Sequence, residues 1–251
     1  MKKKFALYLI AAFCSTVPSL AQVKQKEHVE QVWGGFFNQT RFSNRWGVWL
    51  EGQLRTKEDF VSDLSQGIAR AGLMYYLNDA TKLTAGYAFV NHFPAAGHEE
   101  ISQPEHRIWQ QVQWHTRYSK VRTMQWFRLE ERFRRKVLNN EKLADGYNFN
   151  FRARYNFLLQ VPLSATIQKG SFSAIANNEV HVNFGKEIVN NYFDQNRFFL
   201  GLAYHTNAHD NFQFGYMNVF QQLPSGNHYR TTHAIRLFYF HNLDLRTKAT
   251  Q

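Results

Sequence analysis

The chain has 251 residues, is 16% aromatic with 23 Phe and 12 Tyr, and carries a formal charge of +11. Its one cysteine excludes a disulfide framework. Past the N-terminus no apolar run approaches the roughly 18 residues of a membrane helix.

The chain opens with Lys2, Lys3 and Lys4, an apolar run from Phe5 to Phe13, and then Ser19-Leu20-Ala21. A basic start, a short apolar stretch and a small-x-small site read as a secretory signal peptide, 1–21, cleaved after Ala21. The run is too short to span a bilayer. Phe13 is too bulky to precede a lipidated Cys14. Export sets nucleic acid aside as the partner of this basic chain and leaves anionic lipid. Residues 22–31 are polar and are expected to be a periplasmic or lumen-lying arm. Residues 32–243 are expected to form one barrel domain, followed by a tail at 244–251.

Within that domain the alternation begins at once. A first strand is expected from Val32 to Phe42, though Gly34-Gly35 and Phe36-Phe37 blur its faces. Trp46, Val48, Leu50 and Leu54 then oppose Trp49, Glu51, Gln53 and Arg55. Ala69, Ala71, Leu73 and Tyr75 oppose Arg70, Gly72 and Met74. Leu83, Ala85, Tyr87 and Phe89 follow. Glu105, Arg107, Trp109, Gln111 and Gln113 oppose Ile108, Val112 and Trp114. Arg128, Glu130, Arg132 and Arg134 oppose Phe127, Leu129 and Phe133. Period-two patterning of this kind is a strand with two unlike faces.

The clearest case is Tyr147 to Leu159. Its odd positions are all apolar or aromatic, and its even positions from Asn148 to Asn156 are Asn or Arg. Arg and Asn opposite Phe and Tyr fit hydrocarbon outside and a wet lumen inside. Asn177, Glu179, His181 and Asn183 then oppose Val180 and Val182. Phe198, Leu200 and Leu202 oppose Arg197, Gly201 and Ala203. Phe212, Phe214, Tyr216 and Phe220 precede a last strand with Ile235, Leu237 and Tyr239 opposite Arg236.

Short turns near 43–45, 78–80, 119–120 and 207–211 separate hairpins whose other ends are longer loops, 56–66, 93–104, 136–146, 185–196 and 221–228. This is the rhythm of a transmembrane antiparallel up-and-down β-barrel. Eleven strands are countable. Bacterial barrels normally have an even number, so 10–12 are expected, with the first strand and 163–173 as the doubtful segments. A mean hydropathy of −0.50 is no objection, because lumen and loop residues dilute the lipid face.

The inward set is Glu51, Arg55, Arg70, Glu105, Arg107, Arg128, Glu130, Arg132, Arg134, Arg152, Arg154, Glu179, Arg197 and Arg236. Arginine forks onto carboxylates and stacks on rings. The favoured reading is therefore a salt-bridge ladder that fills the lumen and supports the fold. The alternative is a narrow anion-preferring pore for small polar solutes. A third reading, an outer-membrane lipid hydrolase, would use Ser225 with His228, or His205 and His209. No nucleophile elbow or zinc signature accompanies them, so no enzyme, cofactor or metal is expected. Glu179 with His181 could hold a metal, but a hydrogen-bonded lumen histidine is the favoured reading.

Three strings, Arg128-Leu-Glu-Glu-Arg-Phe133, Asn177-Asn-Glu-Val-His-Val-Asn183 and Phe193-Asp-Gln-Asn-Arg197, are joined by Glu105-His-Arg-Ile-Trp-Gln-Gln111 and Gly215-Tyr216. In this order the chain resembles an uncharacterised domain-of-unknown-function family of Gram-negative outer-membrane β-barrel proteins, from about Val32 to Asn242. The resemblance implies an outer-membrane barrel and brings no catalytic residues. His181 departs from the apolar or aromatic residue expected in its string. The partners so implied are outer-membrane lipid and lipopolysaccharide, and barrel-assembly machinery during insertion.

Overall fold

The computed structural model describes residues 24–57 and 59–246. The expected signal peptide and most of the tail lie outside the described residues. Eleven strands follow in order: β1 Gln25–Arg41, β2 Trp46–Thr56, β3 Leu64–Tyr76, β4 Thr81–His92, β5 Gln103–Tyr118, β6 Val121–Val137, β7 Leu143–Pro162, β8 Phe172–Phe184, β9 Phe193–His205, β10 Asn211–Gln222 and β11 His228–Asp244. Each pairs with its neighbours in sequence, and β1 pairs with β11, so the sheet closes into a barrel. Closure satisfies both edges of every strand, so no edge is left unpaired.

The eleven strands fall within the expected 10–12, and one expectation changes: the ring is not wholly antiparallel. Strands that alternate up and down in an odd number must leave the first and last pointing the same way. β1 and β11 accordingly run parallel, in register from Gln25↔His228 to Arg41↔Asp244. Of the doubtful segment 163–173, residues 163–171 are a connection and the last two open β8, and the Gly-blurred first strand is real. The expected arm, 22–31, is corrected as well. From Gln25 it is strand, because its polar backbone pairs with the first seven residues of β11.

Parallel pairing is slightly weaker per residue, and the seam is reinforced at both ends. On the loop side, the Gln25 N–H donates to the Asn227 carbonyl at 2.9 Å, and Glu27 pairs with Arg230. On the turn side, the Leu245 N–H donates to the Arg41 carbonyl at 2.8 Å. There Asp79 takes Arg41 at 2.6 Å and Arg246 at 3.5 Å. The Arg41 hydrogen bond holds the Asp79 carboxyl below the usual carboxylate range. Between the ends, Phe37 stacks on Phe240 with ring centres 4.7 Å apart.

Sidedness follows the alternation. On β7, Arg152 and Arg154 are buried while Tyr155 and Phe157 are exposed on the outer wall. Every strand adds at least one large exposed apolar side chain to that wall, from Phe36 on β1 and Leu50 on β2 through Ile108 on β5 and Leu200 on β9 to Ile235 on β11. The interior is not purely polar. Trp33, Trp49, Trp109, Phe199 and Phe238 are buried inside with Met74, Ile175 and Met217.

Two facing glycine pairs make room for these rings. Gly72 lies opposite Gly86, and Gly201 opposite Gly215. A Cβ on Gly86 would sit 2.1 Å from the Ala71 carbonyl oxygen, and one on Gly215 would sit 2.4 Å from that of Leu200. A Cβ on Gly72 would meet the Trp109 ring at 2.8 Å, and one on Gly201 the Phe199 ring at 2.5 Å. The missing side chains let backbone and an inward ring approach closely at these positions.

Candidate functional site

The lumen is organised by four carboxylates, each facing an arginine on the next strand. Register places Glu51 opposite Arg70, Glu105 opposite Arg134, Glu130 opposite Arg152 and Glu179 opposite Arg197. Inward residues directly opposite one another are close enough for side chains of this length to meet.

Glu130 is the hub and has no solvent exposure. Arg152 reaches it with Nη2 at 2.6 Å and Nε at 2.9 Å, and Arg154 Nη1 at 2.6 Å. Arg70, Arg107 and Arg128 stand 3.6–3.9 Å away. Glu105, also unexposed, takes Arg107 Nε and Arg132 Nε at 2.6 Å each and lies 2.8 Å from His92 Nε2. Glu179 pairs with Arg154 and lies 2.9 Å from His181 and 3.7 Å from Arg197. Glu51 holds Arg70 at 2.6 Å and accepts from Trp49 Nε1 at 3.1 Å. Charge-assisted bonds from several donors offset the desolvation of each carboxylate.

Three arginines rest mainly on rings and amides. Arg55 lies 3.6 Å from the centre of the Trp33 ring and donates to Gln53 at 3.1 Å. Arg236 lies 3.4 Å from the Phe199 ring centre and donates to Gln213 at 2.7 Å. Arg128 stacks on Trp109 and Trp126 and donates to Gln111 at 2.9 Å. The buried indoles and phenyl rings are thus platforms for guanidinium groups. Among the described residues, the Nε atoms of Arg55, Arg70, Arg134 and Arg236 find no acceptor.

Two chambers of about 710 Å³ each lie on either side of this layer. Arg107, Arg132, Arg134 and Arg152 line the loop-side chamber. Glu51, Arg128, Glu179 and Arg236 line the turn-side one. Arg55, Arg70, Arg154 and Arg197 line both, with Trp33 and Gln53, and so form the wall between them. Glu105 and Glu130 line neither and are sealed behind the arginines. All fourteen residues singled out in the sequence face the interior, and the structure brings them into one connected network.

Other groups in the network are less visible in the sequence. Trp33 sits in the blurred first strand. Asp194, 3.1 Å from Arg152, sits beside the register shift between His181 and Val182, where alternation breaks and neighbouring Asp194 and Gln195 are both buried. Lys82, buried at the start of β4, donates to Gln39. His181, whose direction the sequence leaves open, points inward and is fully buried. The Ser225–His228 arrangement does not form. His228 pairs with Glu27 at 3.3 Å, and no hydrogen bond joins it to Ser225 among the described residues. His205 instead meets Ser173 at 2.8 Å.

No curated protein and no solved structure matches the chain. A family model described as "Protein of unknown function (DUF2490)" matches residues 30–230. That span takes in nine whole strands, β2 to β10, with the body of β1 and the start of β11, and includes the ionic network except Arg236, and the chain belongs to this family.

Proposed function

We propose that the protein is an integral outer-membrane barrel, exported by residues 1–21, whose role is mainly structural and whose lumen is closed at mid-height by its own ionic layer. The observation that carries this reading is the inversion of the wall. Charged groups are buried inside, while large apolar side chains stand exposed on all eleven strands. A water-soluble barrel has the opposite arrangement, and an apolar surface this continuous calls for a non-aqueous neighbour. Outer-membrane lipid and lipopolysaccharide are the surroundings this wall fits, and barrel-assembly machinery would insert it. Carbonate extraction tests the assignment. The protein should stay with the membrane fraction, and release without detergent would refute it.

The closure rests on the burial of the network. An open, water-filled bore would leave its lining exposed, whereas Glu105, Glu130 and Trp109 have no exposure. In planar bilayers the refolded protein should therefore be silent. A second reading, an anion-preferring pore, draws on the arginine excess of the lining. Stable anion-selective steps that change on Arg152→Ala would favour it. A non-enzymatic role completes the proposal. The Ser173 hydroxyl beside His205 is wholly buried, out of a lipid ester's reach. Lipid turnover lost on His205→Ala would overturn that part.

A further inference from the structure

We infer that the loop-side chamber is a blind-ended binding cup for a small, hydroxylated oxyanion, a sugar-sized molecule bearing a phosphate or carboxylate. The first ground is the composition of its lining. Nine arginines face it against two carboxylates, Glu187 and Asp194. The carboxylates that balance several of these arginines, Glu105 and Glu130 above all, lie behind the guanidinium layer and do not reach the cavity. An occupant therefore meets a positive surface within low-dielectric walls, which focuses the field onto an anion.

The second ground is a buried cation in the chamber's lining that has no carboxylate partner among the described residues. Arg55 is nine-tenths buried, lies 3.6 Å from the Trp33 ring centre, donates only to the Gln53 amide oxygen, and leaves Nε without an acceptor among the described residues. A buried guanidinium in this state is costly until an anion joins it. Arg134, near the chamber's edge, likewise leaves Nε unbonded, its closest carboxylate oxygen on Glu105 being 4.0 Å away. Planar forks of this kind match phosphate and carboxylate oxygens.

Shape and the remaining lining narrow the class. About 710 Å³ falls in the usual range of small-molecule sites. Asn148, Asn150 and Asn183 add amides suited to hydroxyl groups. Parts of three loops, at Ala95 and His98, at Ile188 and Asn191, and at Leu223 and Pro224, roof the cavity, and the Arg55–Trp33 wall floors it. A molecule enters from the loop side and leaves the same way. The inference rests on the closed lumen described above and not on membrane insertion.

Titration of the full mature chain, refolded in detergent at low salt, tests it, with glucose 6-phosphate as probe, glucose as neutral control, and tryptophan fluorescence and calorimetry as readouts. Saturable one-site binding of glucose 6-phosphate without binding of glucose is the expected result. Arg55→Gln and the more exposed Arg134→Gln should each weaken it at least tenfold, while Arg117→Gln, outside the chamber, should not. Arg134→Gln keeps the test decisive if Arg55→Gln fails to fold. Absence of saturable binding by folded protein, equal binding of glucose, or affinity unchanged in Arg134→Gln would each overturn the inference. Bilayer conductance, measured separately, reports on the closure alone, so failure of the cup and failure of the closed lumen give different results.

Discussion

Glu130 of β6 and Arg152 of β7 are register partners, and their side chains meet at 2.6 Å in the middle of the lumen. The same hydrogen-bond ladder that pairs the strands therefore also pairs the charges. Because side chains alternate with a period of two, a slip of one residue would turn both groups toward the outer wall. Four such cross-strand pairs make the ionic layer a register lock as well as a plug.

Glu130→Gln leaves Arg152, Arg154 and their neighbours crowded without their central carboxylate. We expect a loss of about 3–5 kcal/mol, the usual cost of removing one partner of a buried pair, read as a lower urea midpoint of the refolded barrel. Arg152→Gln should be costly too. The double variant should lose clearly less than the two single losses combined, because the pair acts as a unit. Additive losses would show that the pairing is incidental.

Trp33→Ala removes the platform under Arg55 and part of the wall shared by the two chambers. Joined chambers should give a continuous water path. Conductance steps are expected from this variant in planar bilayers where the parent protein is silent, with a preference for anions. A silent, folded Trp33→Ala protein would place the closure elsewhere in the layer.

Gly86→Ala on β4 and Gly52→Ala on β2 form a matched comparison on the two strands that flank β3. The first puts a Cβ 2.1 Å from the backbone oxygen of Ala71, whereas the second meets nothing within 4 Å. Gly86→Ala should abolish assembly or lower the unfolding midpoint markedly. Gly52→Ala should stay within about 0.5 kcal/mol of the parent, as surface changes do. Equal behaviour would count against the close approach of the backbone at Gly72 and Gly86.

Asp210, in the turn between β9 and β10, ties that turn to the end of β11. It accepts from the Asn242 N–H at 2.7 Å and from Asn207 Nδ2 at 2.9 Å, and lies 2.8 Å from His241 Nδ1. Burial pushes its carboxyl up, but these hydrogen bonds outweigh burial and the net shift is downward. A depressed carboxyl stabilises the folded state above its unfolded pKa of roughly 3.9, and that contribution is lost as pH falls through the folded value. Asp210→Asn should therefore be less stable than the parent near neutrality, with the gap closing below about pH 4. A gap that persists unchanged in acid would count against this role.

Much of this was legible in the sequence, for a physical reason. Most inward arginines and glutamates alternate with apolar neighbours, Glu131 between Glu130 and Arg132 being an exception, so the period of two exposes sidedness without any knowledge of pairing. What resisted reading is what alternation does not encode. Trp33 sits in the Gly-Gly stretch where both faces look apolar. Asp194 sits where the register shifts and parity is lost. The parallel seam depends on strand parity around the whole ring, a property no local window contains. The interior role of tryptophan was half visible. Trp49 and Trp109 share a face with Glu51 and Glu105, but only the folded barrel shows guanidinium groups lying on such rings.

The odd strand number has a topological consequence of its own. Since β1 and β11 ascend together, β1 begins at one rim and β11 ends at the other. Joining Asp244 back to Gln25 would take a linker as long as a full strand, roughly 55 Å for a strand of seventeen residues. Set in a bilayer, such a barrel would hold the start of β1 and the end of β11 in different aqueous compartments. An epitope placed beside Gln25 and one placed beside Asp244 would then answer to antibodies from opposite faces of the membrane.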